Sequence, residues 1–103
     1  MKDKDLQNQL TYITRIKVTA LQLNKIRGVK AIWKDETAYL FFYFSEQPTE
    51  NELEDIGDMC TEIIAQMPKG MLEDKYFILE TSYPLSEKFL AYKRKEELFR
   101  KIN

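Results

Sequence analysis

The side chains of this sequence with chemistry to offer are one thiol, Cys60, and a run of carboxylates between residues 50 and 62. Histidine is absent. That removes the usual general base near neutral pH, the commonest transition-metal ligand and any Ser/His or Cys/His nucleophile pair. Gly28, Gly57 and Gly70, the only glycines, stand too far apart for a phosphate-cradling loop. Cys60 falls between Ile56 and Ile63 on the apolar stripe of a helical pattern, the place of a small buried hydrophobe. A single cysteine also excludes an intrachain disulfide and a cysteine-based zinc cluster. Glu54 and Asp58 are four residues apart and could in principle share a divalent cation. An exposed helix face, however, lacks the carbonyl-bearing loop that calcium and magnesium sites use. The expectation is a protein without metal, cofactor or catalytic residues.

The carboxylates make more sense as a surface. Glu50, Glu54, Asp58 and Glu62 recur every four residues, with Asp55 beside them, so a helix stacks like charges on one side. Each such i,i+4 contact is mildly repulsive. Glu50 and Glu52 fall in the first turn, where carboxylates complement the helix dipole, but that benefit does not reach Asp58 or Glu62. No lysine interleaves in the segment. A solvated face is the plain reading, and a docking surface for a strongly basic partner is the functional one.

A second candidate is Tyr39, Phe41 and Tyr43, on one side of an alternating strand. Such rings can stack nucleobases. That use needs flanking basic residues, whereas the segment that follows is the acidic one, so core packing beneath helices is expected instead.

The elements that position these groups follow from periodicity. Residues 4–23 carry Leu6, Leu10, Ile13, Ile16 or Lys17, and Ala20 at helical spacing that continues to Asn24, the stripe being interrupted at Lys17 and Asn24, with Gly28 offering a stop or turn. Val29, Ala31 and Trp33 alternate with Lys30, Ile32 and Lys34 as a half-buried strand. After a short polar turn, Thr37 to Phe44 is apolar on both faces, which predicts a central strand antiparallel to the first. Thr49 and Glu52 have capping-box spacing. Leu53, Ile56, Cys60, Ile63, Ile64 and Met67 then define a helix over 50–67. Leu72 to Thr81 reads as a third long strand, broken at Tyr83-Pro84. Lys88 to Lys93 reads as a strand and Lys95 to Ile102 as a helix, or the two as one helix. The fold class is therefore α+β, a sandwich in the order α-β-β-α-β-(β/α), with helices packed on a mainly antiparallel sheet.

The 103 residues carry a net charge of −1 that is unevenly spread: +6 over residues 1–34, −9 over 35–68 and +2 over 69–103. This balance counts against non-specific nucleic-acid binding by the whole chain. MKDKDLQNQL lacks the apolar core of a secretory signal, and the longest apolar run, Ala38 to Phe44, is too short for a membrane helix. With its reduced thiol, the chain is expected to be cytoplasmic, with no membrane contact.

Over residues 26–97 the sequence resembles bacterial contact-dependent growth inhibition immunity proteins. The resemblance runs through Ile26-Arg27, Val29 to Trp33 and Leu40-Phe41-Phe42-Tyr43-Phe44. It continues through the acidic stretch into Thr61-Glu62-Ile63-Ile64-Ala65 and Pro68, then through Tyr83-Pro84-Leu85 and Tyr92-Lys93-Arg94-Lys95-Glu96. It implies that residues 1–103 form one immunity-like domain that binds and silences a cognate toxin, often a nuclease. It also favours the strand at Lys88 to Lys93. Glu50, Glu54, Asp55, Asp58 and Glu62 are then the expected toxin-binding residues, facing a basic protein surface and no nucleic acid directly. The competing expectation is a non-enzymatic regulatory or structural module that self-associates through its aromatic sheet.

Overall fold

A computed structural model describes residues 3–80 and 83–98. The order is α1 (Asp3–Leu21), β1 (Ile26–Lys34), β2 (Thr37–Phe44), α2 (Glu50–Ala65), β3 (Met71–Ile78), β4 (Leu90–Lys93) and α3 (Lys95–Leu98). Four strands form one sheet in the order β3-β2-β1-β4, with β1 antiparallel to both β2 and β4, and β3 parallel to β2. The α+β class, the central position of β2 and the antiparallel hairpin agree with the sequence reading. Residues 99–102 of the expected terminal helix lie outside the described residues.

β1 and β2 are joined by two residues, Asp35 and Glu36, both at positive φ (51° and 57°). The tightest hairpin turns need this because it matches the twist of the strands they connect. α1 ends where Gln22 takes a left-handed φ of 54°, not at Gly28. Gly28 belongs to β1, and the reason for a glycine is room: a Cβ there would sit 2.8 Å from Leu85 Cδ1 and 3.1 Å from the Tyr92 carbonyl oxygen. Gly70 leads into β3 at φ +132°, where a Cβ would fall 2.6 Å from both the Glu36 carbonyl oxygen and the Trp33 ring.

The core lies between one sheet face and the helices. β2 buries Ala38, Leu40, Phe42 and Phe44 and leaves Thr37, Tyr39, Phe41 and Tyr43 half-exposed on the other side. α1 supplies Leu10, Ile13, Thr14 and Val18, so its apolar stripe is rotated from the one expected, and Ile16 is 47 % exposed. α2 supplies Ile56, Met59, Cys60 and Ile63, with Met67 just beyond it. α1 lies against β1 and β4, while α2 lies beside α1 and toward β3.

β4 is short and pairs with β1 only from Gly28 to Lys30. Beyond it, the side chain of Gln7 stands in for a strand: its Nε2 donates to the Ala31 carbonyl (2.9 Å), and its Oε1 accepts from the Trp33 amide (2.7 Å). These backbone groups would otherwise be left unpaired beneath α1, at real cost.

Candidate functional site

α2 begins with the expected capping box. The Thr49 hydroxyl accepts from the Glu52 amide, and the Glu52 carboxylate accepts from the Thr49 amide (2.7 Å). The same carboxylate meets Lys25 at 2.8 Å. The Lys25 hydrogen bond, helped by the Thr49 amide, holds the Glu52 carboxyl below the usual carboxylate range. Glu52 is thus occupied locally and fixes the start of the helix.

Glu50, Glu54, Asp55, Asp58 and Glu62 are all exposed. They do not form one uniform ladder. A drift of about 40° per four-residue step turns the stripe around the helix. Asp55, Asp58 and Glu62 line a groove of about 320 Å³ between α1 and α2, together with Lys17, Leu21 and Met59. Glu50 and Glu54 are not among the lining residues. The ladder also has a cation that the segment itself does not contain: Lys17, from α1, donates to Glu62 at 2.8 Å. The repulsion read from the sequence is relieved there by a residue 45 positions away.

The opposite side of the molecule has the reverse character. The sheet face away from the helices carries Tyr39, Phe41 and Tyr43 of β2, beside Lys30 and Ile32 of β1 and Phe77 and Lys75 of β3. Phe77 stacks with Tyr43 at 5.3 Å between ring centroids, and Lys30 Nζ lies 5.7 Å over the Tyr43 ring. The partial burial of Tyr43 raises its hydroxyl pKa. A hollow of about 270 Å³ opens here, lined by Lys30, Phe41, Tyr43, Phe77, Lys88 and Phe89 among others. The expectation that helices would cover these rings fails because both long helices lie on the other face. The basic residues thought missing are brought in from β1, β3 and the segment before β4. The carboxylates of α2 and the lysines of the open sheet face thus lie on opposite sides of the sheet, although Glu73 shares the open face with Lys75 and Lys17 stands among the carboxylates.

A third feature was invisible in the sequence. Arg27 is fully buried at a bulge, where the β1–β2 register slips between Ile26 and Gly28 and the extra residue's side chain is redirected. All five of its N–H donors are used. Nε and Nη2 donate to Glu97 (3.0 and 2.8 Å), Nη1 donates to the carbonyls of Leu79 and Glu80, and Nη2 also donates to that of Tyr83. Arg94 Nη2 reaches the same Glu97 carboxylate at 3.1 Å, and Nη1 donates to Asn24 and Ser45. The Arg27 guanidinium therefore ties β1, the segment after β3 and, through Glu97, α3 together. Arg27 and Arg94 fall inside the pieces that carried the resemblance, but nothing in their spacing marks them as buried.

Cys60 is buried, its sulfur 4.0 Å from Asp74 Oδ2. Burial, with the Asp74 charge behind it, pushes the thiol up to about 12. Since only the thiolate is reactive, the native protein at pH 8 is expected to react with a disulfide reagent at least ~100-fold more slowly than the denatured chain. Equal rates before and after denaturation would show that Cys60 is not in the core. Among the described residues, no group of three or more His, Cys, Asp or Glu side chains gathers to hold a metal ion. No described helix is long and apolar enough to cross a membrane.

What this molecule offers, then, is charged and aromatic surface on a braced α+β frame, the construction of a binding protein. Residues 22–96 match the model of the MafI2 immunity protein family, and the chain belongs to that family. Membership implies a cognate toxin as the binding partner. The immunity class agrees with the resemblance, while the family shown is MafI2, and contact-dependent growth inhibition as such is not part of the match. No curated protein and no solved structure matches the chain.

Proposed function

We propose that the protein neutralises its toxin, a nuclease with a basic groove, by laying the acidic exterior of α2 over that groove, with no catalytic step of its own. The observation that carries this reading is the exposure of Glu50, Glu54, Asp55, Asp58 and Glu62 on one helix. A surface of that charge resembles the phosphates a nuclease groove is shaped to hold, and carboxylates accept strong hydrogen bonds from Lys and Arg. Opposed charges also steer encounter and speed association. Such binding takes place in the cytoplasm, where the toxin would act.

Replacing Glu54, Asp58 and Glu62 by Gln, Asn and Gln tests it. Stability is expected to stay within about 0.5 kcal/mol of wild type, because the sites are exposed and surface pairs such as Lys17–Glu62 contribute little. The association rate with the toxin is expected to fall by about tenfold or more at low salt, and its dependence on salt to flatten. Stopped-flow mixing across a salt series reads both. Unchanged association and unchanged protection would reject the acidic face as the docking surface.

A further inference from the structure

β3 is an edge strand of eight residues that contains no proline, and among the described residues only β2 pairs with it. Its inner side is settled by two bonds: the Met71 amide donates to the Glu36 carbonyl and the Leu79 amide to that of Phe44. Odd-numbered residues therefore bond toward β2. The amides and carbonyls of Leu72, Asp74, Tyr76 and Ile78 point outward, with no bulge to interrupt them. The side chains are exposed too, Met71 by 72 %, Tyr76 by 39 %, Phe77 by 41 % and Ile78 by 50 %. An eight-residue edge without proline or bulge offers its backbone to another strand, and the charges of Glu73, Asp74 and Lys75 at its centre restrict which strand can pair there.

We propose that β3 is the contact through which two copies of this chain pair, antiparallel and edge to edge, on a two-fold axis at Asp74. The sequence of the strand is self-complementary in that register. Glu73 stands opposite Lys75 of the second copy, Leu72 opposite Tyr76, and Met71 opposite Phe77, each pair occurring twice. Antiparallel strands about such an axis keep like faces on one side, so a one-residue slip is excluded. A two-residue slip in one direction would set Lys75 against its own copy and Glu73 against Phe77, and in the other Glu73 against its own copy and Lys75 against Met71. The register at Asp74 instead uses both charges on the open face and covers Met71, Tyr76 and Phe77. Three outward-facing residues of each strand, Leu72, Asp74 and Tyr76, exchange backbone hydrogen bonds, and two four-stranded sheets become one. The remaining like-charge contact is Asp74 with its copy, on the helix side, where each carboxylate also accepts from its own Tyr76 hydroxyl.

The edge contact is independent of the toxin reading.

Sedimentation velocity on the full chain, without toxin, tests the pairing. A dimer is expected to form as concentration rises to about 100 μM, in the affinity range of modest interfaces. Glu73→Lys alone, and Lys75→Glu alone, are each expected to weaken it by about tenfold, and the double variant to restore it, since opposed charges across strands are exchanged for like ones and back again. Asp74→Asn is expected to tighten it. A chain that stays monomeric overturns the proposal, even if β3 then proves to pair with a strand of the toxin. So does a dimer indifferent to Glu73→Lys, or one that the double variant fails to restore.

Discussion

Arg27→Met is expected to cost about 3–5 kcal/mol of folding stability, the range for breaking a buried ion pair from one side. The loss of attraction is the smaller part. Glu97 would keep its buried carboxylate beside Arg94 but lose the two-pronged contact with Arg27. The carbonyls of Leu79, Glu80 and Tyr83 would lose the guanidinium that now serves them. Glu97→Gln reaches a similar cost from the other side, leaving two guanidinium groups close together without their shared anion. Removing both charges, as Arg27→Met with Glu97→Met, is expected to recover part of the loss, because an apolar pair no longer requires compensation. Urea unfolding of the three variants provides the measurement. Additive costs in the double variant would mean that the two residues do not act on each other.

The second large effect is expected at Ile63, which has no exposed surface and sits on the inner face of α2. Ile63→Ala removes buried methyl groups and leaves a cavity, for a loss of about 2–5 kcal/mol. In a chain of this size that lowers the melting temperature by roughly 10–30 °C. Ile16→Ala is the internal control. The same chemistry is applied to a residue on the outer side of α1, and the expected change lies within about 0.5 kcal/mol. A similar loss at both positions would mean that the orientation of α1 is wrong.

Periodicity made the elements legible wherever one rule acted alone. β2 alternates over its whole length, and α2 has both its cap and its apolar stripe written locally. α1 was found at nearly its true length, but its buried side was misjudged. Thr14 and Val18 face the sheet, while Ile16 does not, because tertiary packing outweighs the polarity of one threonine. The parallel pairing of β3 with β2 has no local signature, since it depends on α2 carrying the chain back across the sheet. The acidic residues of α2 were legible as a group. Their relief by Lys17 was not, because that contact belongs to another helix. The lysines of the open face come from three separate segments, so a scan for adjacent basic residues misses them. Arg27 is the clearest case of all: an arginine in a strand reads as surface until Glu97, seventy residues later, is in place.

That separation sets the order in which the protein can assemble. β1 and β2 are neighbours in sequence and can close their hairpin as soon as both leave the ribosome. Pairing of Gly28 with Lys93, and of Arg27 with Glu97, waits for nearly the whole chain. Until then the guanidinium lacks its buried counter-charge, and the carbonyls of Leu79, Glu80 and Tyr83 alone cannot neutralise it. Long-range closures of this kind slow folding. A nascent chain therefore carries α2, with all its carboxylates, well before the frame beneath it is locked. The surface charge of the protein is thus set early in synthesis, while the frame that holds it in place is completed last.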